Sequence, residues 1–472
     1  MPLISMARAR RAAPLHLRHA RVLDWATRVL RIRMLIGAVA TVAAVAACDP
    51  NAALKVPEPD NITGANINSA AALPALRNGT LSSFQIAYSG AADGGNFGHE
   101  GHVGITGLFV DELQDQETFS SRIQIDTRLA STGNQSLNAL FIDISTARAF
   151  ADKANSKYIL FAPNDPGQSL MLSLGGYAYT ILAENYCNGV PQSTLNDNGS
   201  ITYGVPMSRE QLLTIAVQHF DSAITIANAN SDANMLGLAQ IGLGRALLDS
   251  NDDADAAAAV AAVPTSYQYV IGASTNSAVE NNGIWNYTIN SESFGMSDTE
   301  GHNGLNFVSA HDPRIPFIDT HGPGVRAAAG DFVMQQLYPD QSSSIPLATG
   351  VEAQLIIAEH QLRTGGPAGG FLATLNALRT TVPGLAPIAL AAPTMTVAVD
   401  TLFRERAFWM YLTAHRLGDL RRMVRQYGFD ANTVFPIGNT VYLSPFNSDV
   451  TLPVPAEEDA NPNFHGCTDR NA

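Results

Sequence analysis

The chain has 472 residues, 46% hydrophobic and 7% aromatic, which suits one large folded domain or two or three ordinary ones and excludes wholesale disorder. Residues 1–47 hold eight arginines and one acid, Asp24, so the remainder carries 20 basic and 41 acidic residues, a net charge of −21. A body that acidic repels phosphate backbones, so no nucleic acid is expected as a partner, and none of the three lysines (Lys55, Lys153, Lys157) sits in a Gly-rich phosphate loop, which excludes a P-loop nucleotidase.

Residues 34–47, MLIGAVATVAAVAA, form an uncharged apolar run that follows Arg28, Arg31 and Arg33 and ends in small residues before Cys48. A basic lead, a short apolar core and a small-residue cleavage site describe an export signal. The run is too short to span a hydrocarbon core, which needs about 20 apolar residues. Val45-Ala46-Ala47-Cys48 resembles the bacterial lipobox, whose Cys is acylated and becomes the first mature residue. Residues 1–47 are therefore expected to be a lipoprotein signal peptide and Cys48 a lipid anchor holding the protein on a membrane. Residues 48–64, with Pro50, Pro57 and Pro59 and no periodicity, read as an extended tether. An exported chain meets oxidising conditions, so Cys187 and Cys467 are expected to form one disulfide, the alternative being two unrelated thiols.

A single domain is expected over 65–472. Early in it, His99-Glu100-Gly101-His102 lies among Gly94, Gly95, Gly98 and Gly104, which predicts a loop with surface histidines. Two imidazoles without a third ligand do not make a zinc site, and no metal is expected. Asp111, Glu112 and Asp115 are carboxylates, but neighbours in sequence do not set the fixed separation a glycosidase needs. No Gly-x-Ser-x-Gly elbow occurs, so no catalytic residue is assigned, no cofactor is expected, and the chain is not read as an enzyme.

Helical patterns occupy about 165–263 and 350–425. Asp165 caps and Pro166 starts a helix whose Leu170, Leu174, Tyr177 and Ile181 share a face. Ser208 and Gln211 make a capping box for the next, with Leu212, Ala216, Phe220, Ala223 and Ile226 on its apolar stripe. Further helices are predicted over 233–249, on to Val263, and over 351–364 and 368–381. Ala239–Leu248 aligns without gaps on Ala353–Leu362, and Ile181–Glu184 on Ile356–Glu359, each within a helix followed by a second one. Recurrent helix pairs stack, because neither face can be buried alone. The fold class is thus mostly α, a tetratricopeptide-like helical repeat scaffold.

Between the repeats, 265–345 is rich in Asn, Ser, Gly and Asp with scattered aromatics, and it reads as an ordered, loop-rich excursion. Trp285 offers a face on which the C–H side of a sugar could pack, and Asn286, Tyr287 and Asn282 offer hydrogen bonds; the alternative is that Trp285 packs the excursion onto the scaffold. A shallow binding groove is expected from 265–345 and the loop at 92–106.

At the C-terminal end, Phe403, Ala407, Met410, Ala414, Leu417, Leu420 and Val424 form one seam. Arg404-Glu405-Arg406-Ala407-Phe408-Trp409, followed by His415-Arg416-Leu417-Gly418-Asp419-Leu420-Arg421-Arg422, resembles the signature helix of SusD/RagB-like outer-membrane nutrient-binding lipoproteins. Asp312-Pro313-Arg314, Ile345-Pro346-Leu347, Gly176–Pro191 and the closing Leu452-Pro453-Val454-Pro455 with Asn461-Pro462-Asn463 agree in order. Thr413 and Leu417 depart from the pattern, where a Glu and an aromatic are usual. The resemblance implies four helix pairs, a lipid anchor in the outer membrane facing the cell surface, and work as the lid of a TonB-dependent (SusC-like) transporter that receives oligosaccharides or other small nutrients. The resemblance implies a structural role for Asp312 and Arg314, and Glu405, Arg406, Arg416, Asp419, Arg421 and Arg422 are expected to be structural as well, because charges at helical spacing usually pair with one another. Two other readings stay open: a lipid-tethered scaffold for a protein partner, and a lipid-anchored hydrolase.

Overall fold

The computed structural model describes residues 67–92, 98–325 and 331–472. The expected signal peptide 1–47, Cys48, the tether 48–64 and the centre of the Gly-rich loop, 93–97, lie outside the described residues.

The helices are α1 (Leu73–Ser89), α2 (Gly101–Phe109), α3 (Ser120–Asp126), α4 (Gln135–Phe161), α5 (Pro166–Asn185), α6 (Arg209–Ala229), α7 (Ala233–Asp249), α8 (Asp253–Val260), α9 (Gly350–Gly365), α10 (Phe371–Arg379), α11 (Met395–Trp409) and α12 (Arg416–Tyr427). Their starts follow local chemistry. Both arms of the Ser208/Gln211 capping box are made, Asp165 accepts from the Gly167 amide ahead of α5, and Asn134, Asp232 and Thr349 cap α4, α7 and α9. The stack runs in chain order from α4 to α10, with α1 packed on α4. That is the tetratricopeptide-like arrangement the repeats imply.

Close approach depends on missing side chains. The Phe220 ring of α6, fully buried, lies against Gly176 of α5 and Gly242 of α7; a Cβ would meet it at 2.7 Å and 2.2 Å respectively. Gly242→Ala is therefore expected to destabilise the fold by about 1–3 kcal/mol through overpacking, read as a lower urea midpoint at unchanged m-value.

The excursion is loop-rich, as its composition implies, and is held by short antiparallel ladders. β1 (Leu113–Asp115) pairs with β7 (Phe294–Met296), β6 (Gln268–Ile271) with β10 (Ile345–Thr349), and β8 (Phe317–Pro323) with β9 (Asp331–Gln335). Between α5 and α6 the chain forms two further small ladders, β2 (Val190–Pro191) with β5 (Pro206–Met207), and β3 (Thr194–Leu195) with β4 (Ile201–Thr202). Cys187 and Cys467 are disulfide-bonded across a separation of 280 residues. The bond fastens the C-terminal tail at the end of α5, where Asn188 donates its amide to Asp469 O at 2.7 Å.

Two expectations are corrected. The continuous C-terminal helix is broken between Trp409 and Arg416, with Leu412 at φ 52° and Ala414 at φ 61°. Left-handed backbone at side-chain-bearing residues costs about 1–3 kcal/mol each. Cross-chain hydrogen bonds hold it there: Tyr338 and Tyr88 donate their hydroxyls to Leu412 O and Thr413 O, both at 3.0 Å, and the Leu412 amide donates to Glu112 Oε1 at 3.1 Å. The second correction is the Gly-rich loop, which from Gly101 onward is helix α2. Its His102 is fully buried rather than on the surface. The glycines serve contact, since a Cβ on Gly101 would lie 2.2 Å from the Gly90 nitrogen, while Val103, Ile105, Leu108 and Phe109 drive the segment inward.

Candidate functional site

The densest charge in the chain lies inside the protein. Arg406 donates to Asp419 at 2.9 Å and Arg422 to the same carboxylate at 2.8 Å; Arg422 continues to Glu359 at 2.6 Å, where the Tyr427 hydroxyl also donates, at 2.7 Å. Next to this group Arg245 of α7 grips Glu184 of α5 with two bonds of 2.5 Å and meets His415 at 3.1 Å, and His415 lies 3.1 Å from Glu352. Arg416 forks onto Asp111 through two 2.8 Å bonds. Arg314 forks onto Asp312 at 2.9 and 2.7 Å and reaches Glu405 at 2.8 Å, and Arg379 joins Glu405 at 2.6 Å. Burial raises the Asp419 carboxyl, but Arg406 and Arg422 outweigh it and hold the group well below the usual carboxylate range.

These pairs clamp α5, α7, α9, α11 and α12 together. The void among them is about 10 Å³, room for one water and no solute. Arg406 and Asp419 line that void, Arg314 is paired with both Glu405 and Asp312, and Arg416, held by Asp111, also lines a cleft at the surface. The alignment of Glu184 on Glu359 has a physical counterpart here: each carboxylate sits at the same place in its repeat and each takes a buried arginine, Arg245 or Arg422.

The sequence-level candidates fare differently. Trp285 and Asn286 are half-buried on a single helical turn and the turn after it, capped by Asn282. Tyr287 is interior: its ring stacks on Phe294 at 5.1 Å and the Arg122 guanidinium lies 4.8 Å over its face, so it is not open to a sugar. Asn282 is fully buried, capping Trp285 and donating to Ser343 O at 2.7 Å. His99 meets Asp143 at 2.8 Å at the edge of the fold, whereas His102 faces Asn185 at 3.0 Å. Desolvation pushes the His102 imidazole down to about 3, so it is neutral at physiological pH. Asp111 and Glu112 are buried behind α12, and Asp319, His321 and Asp331 stand exposed on the β8–β9 ladder with ligand atoms within 4.8 Å of one another.

Among the described residues a smaller and a larger cleft open at the surface. One, of about 260 Å³, lies beside α11 and α12 and is lined by Asp400, Arg404 and Arg416. The larger, about 600 Å³, opens between α4 and the β3–β4 hairpin. Its floor is Arg148 and Asp152 of α4 with Tyr179 of α5: Arg148 donates to Asp152 at 3.0 Å, and the Tyr179 hydroxyl donates to the same carboxylate at 2.9 Å. Its far wall is Gln192, Thr194 and Asn196. Lys153 and Lys157 of α4 both clasp Asp197 near the hairpin tip. The signal for this cleft lies in the i, i+4 pairs Arg148/Asp152 and Lys153/Lys157, the latter two of the three lysines in the chain.

No family model and no curated protein matches the chain. Solved structures do. A SusD-like carbohydrate-binding protein from Bacteroides fragilis superposes with TM-score 0.62 at 14% identity, over 84% of this chain and 99% of its own. A SusD superfamily protein from Bacteroides thetaiotaomicron gives 0.61 at 14% identity, over 86% and 100%. A surface glycan-binding protein A from Bacteroides uniformis gives 0.60 at 13% identity, over 83% and 98%. The chain has the SusD-like fold. Among the described residues no helix is long and apolar enough to cross a membrane.

Proposed function

We propose that this protein is a SusD/RagB-like lipoprotein, anchored through Cys48 to the outer membrane and facing the cell surface. It captures oligosaccharides or other small nutrients for a TonB-dependent, SusC-like transporter, and it makes and breaks no bonds. The observation that carries the reading is the match of nearly the whole length of several glycan-binding proteins onto this chain, combined with an apolar run that ends at Cys48. The buried state of the charge cluster supports it, because the void that Arg406, Asp419 and Arg422 line has no room for a substrate.

The test is made in native membranes. The protein should incorporate labelled fatty acid, lose the label in Cys48→Ala, and copurify with a TonB-dependent barrel in mild detergent. Repeated isolation without a barrel would sink the transporter reading. Within the excursion, Trp285 remains the candidate platform. Trp285→Ala is expected to weaken glycan binding several-fold with the melting temperature nearly unchanged, measured by titration calorimetry and thermal melting; an unaltered affinity would remove Trp285 from the binding surface.

A further inference from the structure

We propose that the cleft between α4 and the β3–β4 hairpin is a ligand site, separate from the Trp285 surface, for an uncharged polyhydroxylated solute, a short neutral oligosaccharide. Its volume of about 600 Å³ is that of a ligand cleft rather than a packing fault. Two polar side chains in its lining are more than nine-tenths buried and incompletely satisfied. Arg148 is 5% exposed and its Nε has no hydrogen-bond partner; Gln192 is 9% exposed and its Oε1 has none. A buried donor and a buried acceptor without partners at the wall of one cleft are costly unless something docks there.

Charge selects the class of solute. The cations in the wall are already paired, Arg148 with Asp152 and Lys153 with Asp197, so the lining is close to neutral. An anionic sugar finds no free cation, and an amine finds no free carboxylate. What remains is a set of neutral donors and acceptors (Gln192, Thr194, Asn196, Ser156) beside the apolar surfaces of Ala149, Leu195 and Met207. Hydroxyls and C–H faces are the two surfaces a neutral sugar presents. Arg148 is additionally fixed by donating to Ser193 O on the hairpin, so floor and wall are held in register.

The site's geometry stands alone, but the choice of cargo rests on the capture reading above, and the experiment separates the two. The mature chain is titrated by calorimetry with a panel of neutral oligosaccharides (malto-, xylo-, manno- and cello-hexaose), with oligogalacturonate as the anionic comparison. Gln192→Leu removes the unpartnered acceptor while keeping the bulk, and Ala149→Phe fills the cleft from a half-exposed position of α4; should the first fail to fold, the second carries the test. A neutral glycan that binds wild type at this cleft should lose about tenfold or more in affinity for it in either variant. Unchanged affinity in both folded variants overturns the cleft and leaves the capture reading standing. Binding of oligogalacturonate alone overturns the neutral class, and no binding across the panel overturns the cleft and the glycan cargo together.

Discussion

Asp419→Ala is expected to cost about 3–5 kcal/mol of folding stability, because it strands two buried guanidiniums that share one carboxylate. Arg406, Asp419 and Arg422 are each about 3% exposed or less, and the bonds between them are 2.9 and 2.8 Å. Removing the carboxylate leaves Arg406 without the partner that offsets its desolvation, and forces Arg422 to rely on Glu359 alone among its short contacts. Equilibrium unfolding in urea measures the difference. Glu210→Ala, which breaks an exposed pair with Arg209, serves as the comparison and should change stability by less than about 1 kcal/mol. The pH dependence has a definite sign. The Asp419 carboxyl is held below its unfolded value of 3.8, so its contribution is complete above that pH and fades as acid protonates the folded state. Wild type and variant should therefore converge only in strong acid. A loss under about 1 kcal/mol at neutral pH would mean that water screens the cluster and that it is no clasp.

How much of this was legible in the sequence depends on the kind of signal. Helix starts with a capping residue are local, so Asp165 and Ser208 place α5 and α6 well. Helix α4 has a regular seam, Leu137, Leu140, Phe141, Ile144, Ala147, Ala151, Ala154 and Tyr158, but its middle is alanine, which gives little hydrophobic contrast. The break at 410–415 was not legible, because periodicity continues through it; Tyr338, Tyr88 and Glu112, all more than 70 residues away, hold it open. Paired charges at helical spacing pointed to a structural cluster, yet the partners Asp111, Glu184 and Glu359 come from distant repeats that only tertiary packing brings together. The wrong side of His102 and Tyr287 has one cause. Glycines and polar residues around them suggest solvent, but in α2 the glycines let backbones touch, and around Tyr287 the polar neighbours are turn caps. The cleft over Arg148 was hidden because its two walls, α4 and the hairpin, are about 45 residues apart, and the charge pairs of α4 read locally as an ordinary helix face.

The second large effect concerns Glu112, whose Glu112→Gln variant should gain on wild type as the pH rises from 5 to 8. Burial pushes this carboxyl up to about 8; the Leu412 amide at 3.1 Å and Arg416 oppose the rise, and Asp111 adds to it. Arg416 gives little relief because both of its short bonds go to Asp111. The unfolded chain releases the proton near 4.5 and the folded chain near 8, so between these values folding takes up a proton and stability falls as pH rises. The glutamine has no proton to take up. The difference between the two proteins should grow by on the order of 3 kcal/mol across that window, read from urea midpoints at pH 5, 6.5 and 8. Parallel profiles would show that Glu112 titrates like an exposed carboxylate. Glu112→Ala separates charge from contact: it also removes the acceptor for the Leu412 amide, so it should be less stable than Glu112→Gln at every pH, because the left-handed turn at Leu412 then holds an unsatisfied buried N–H.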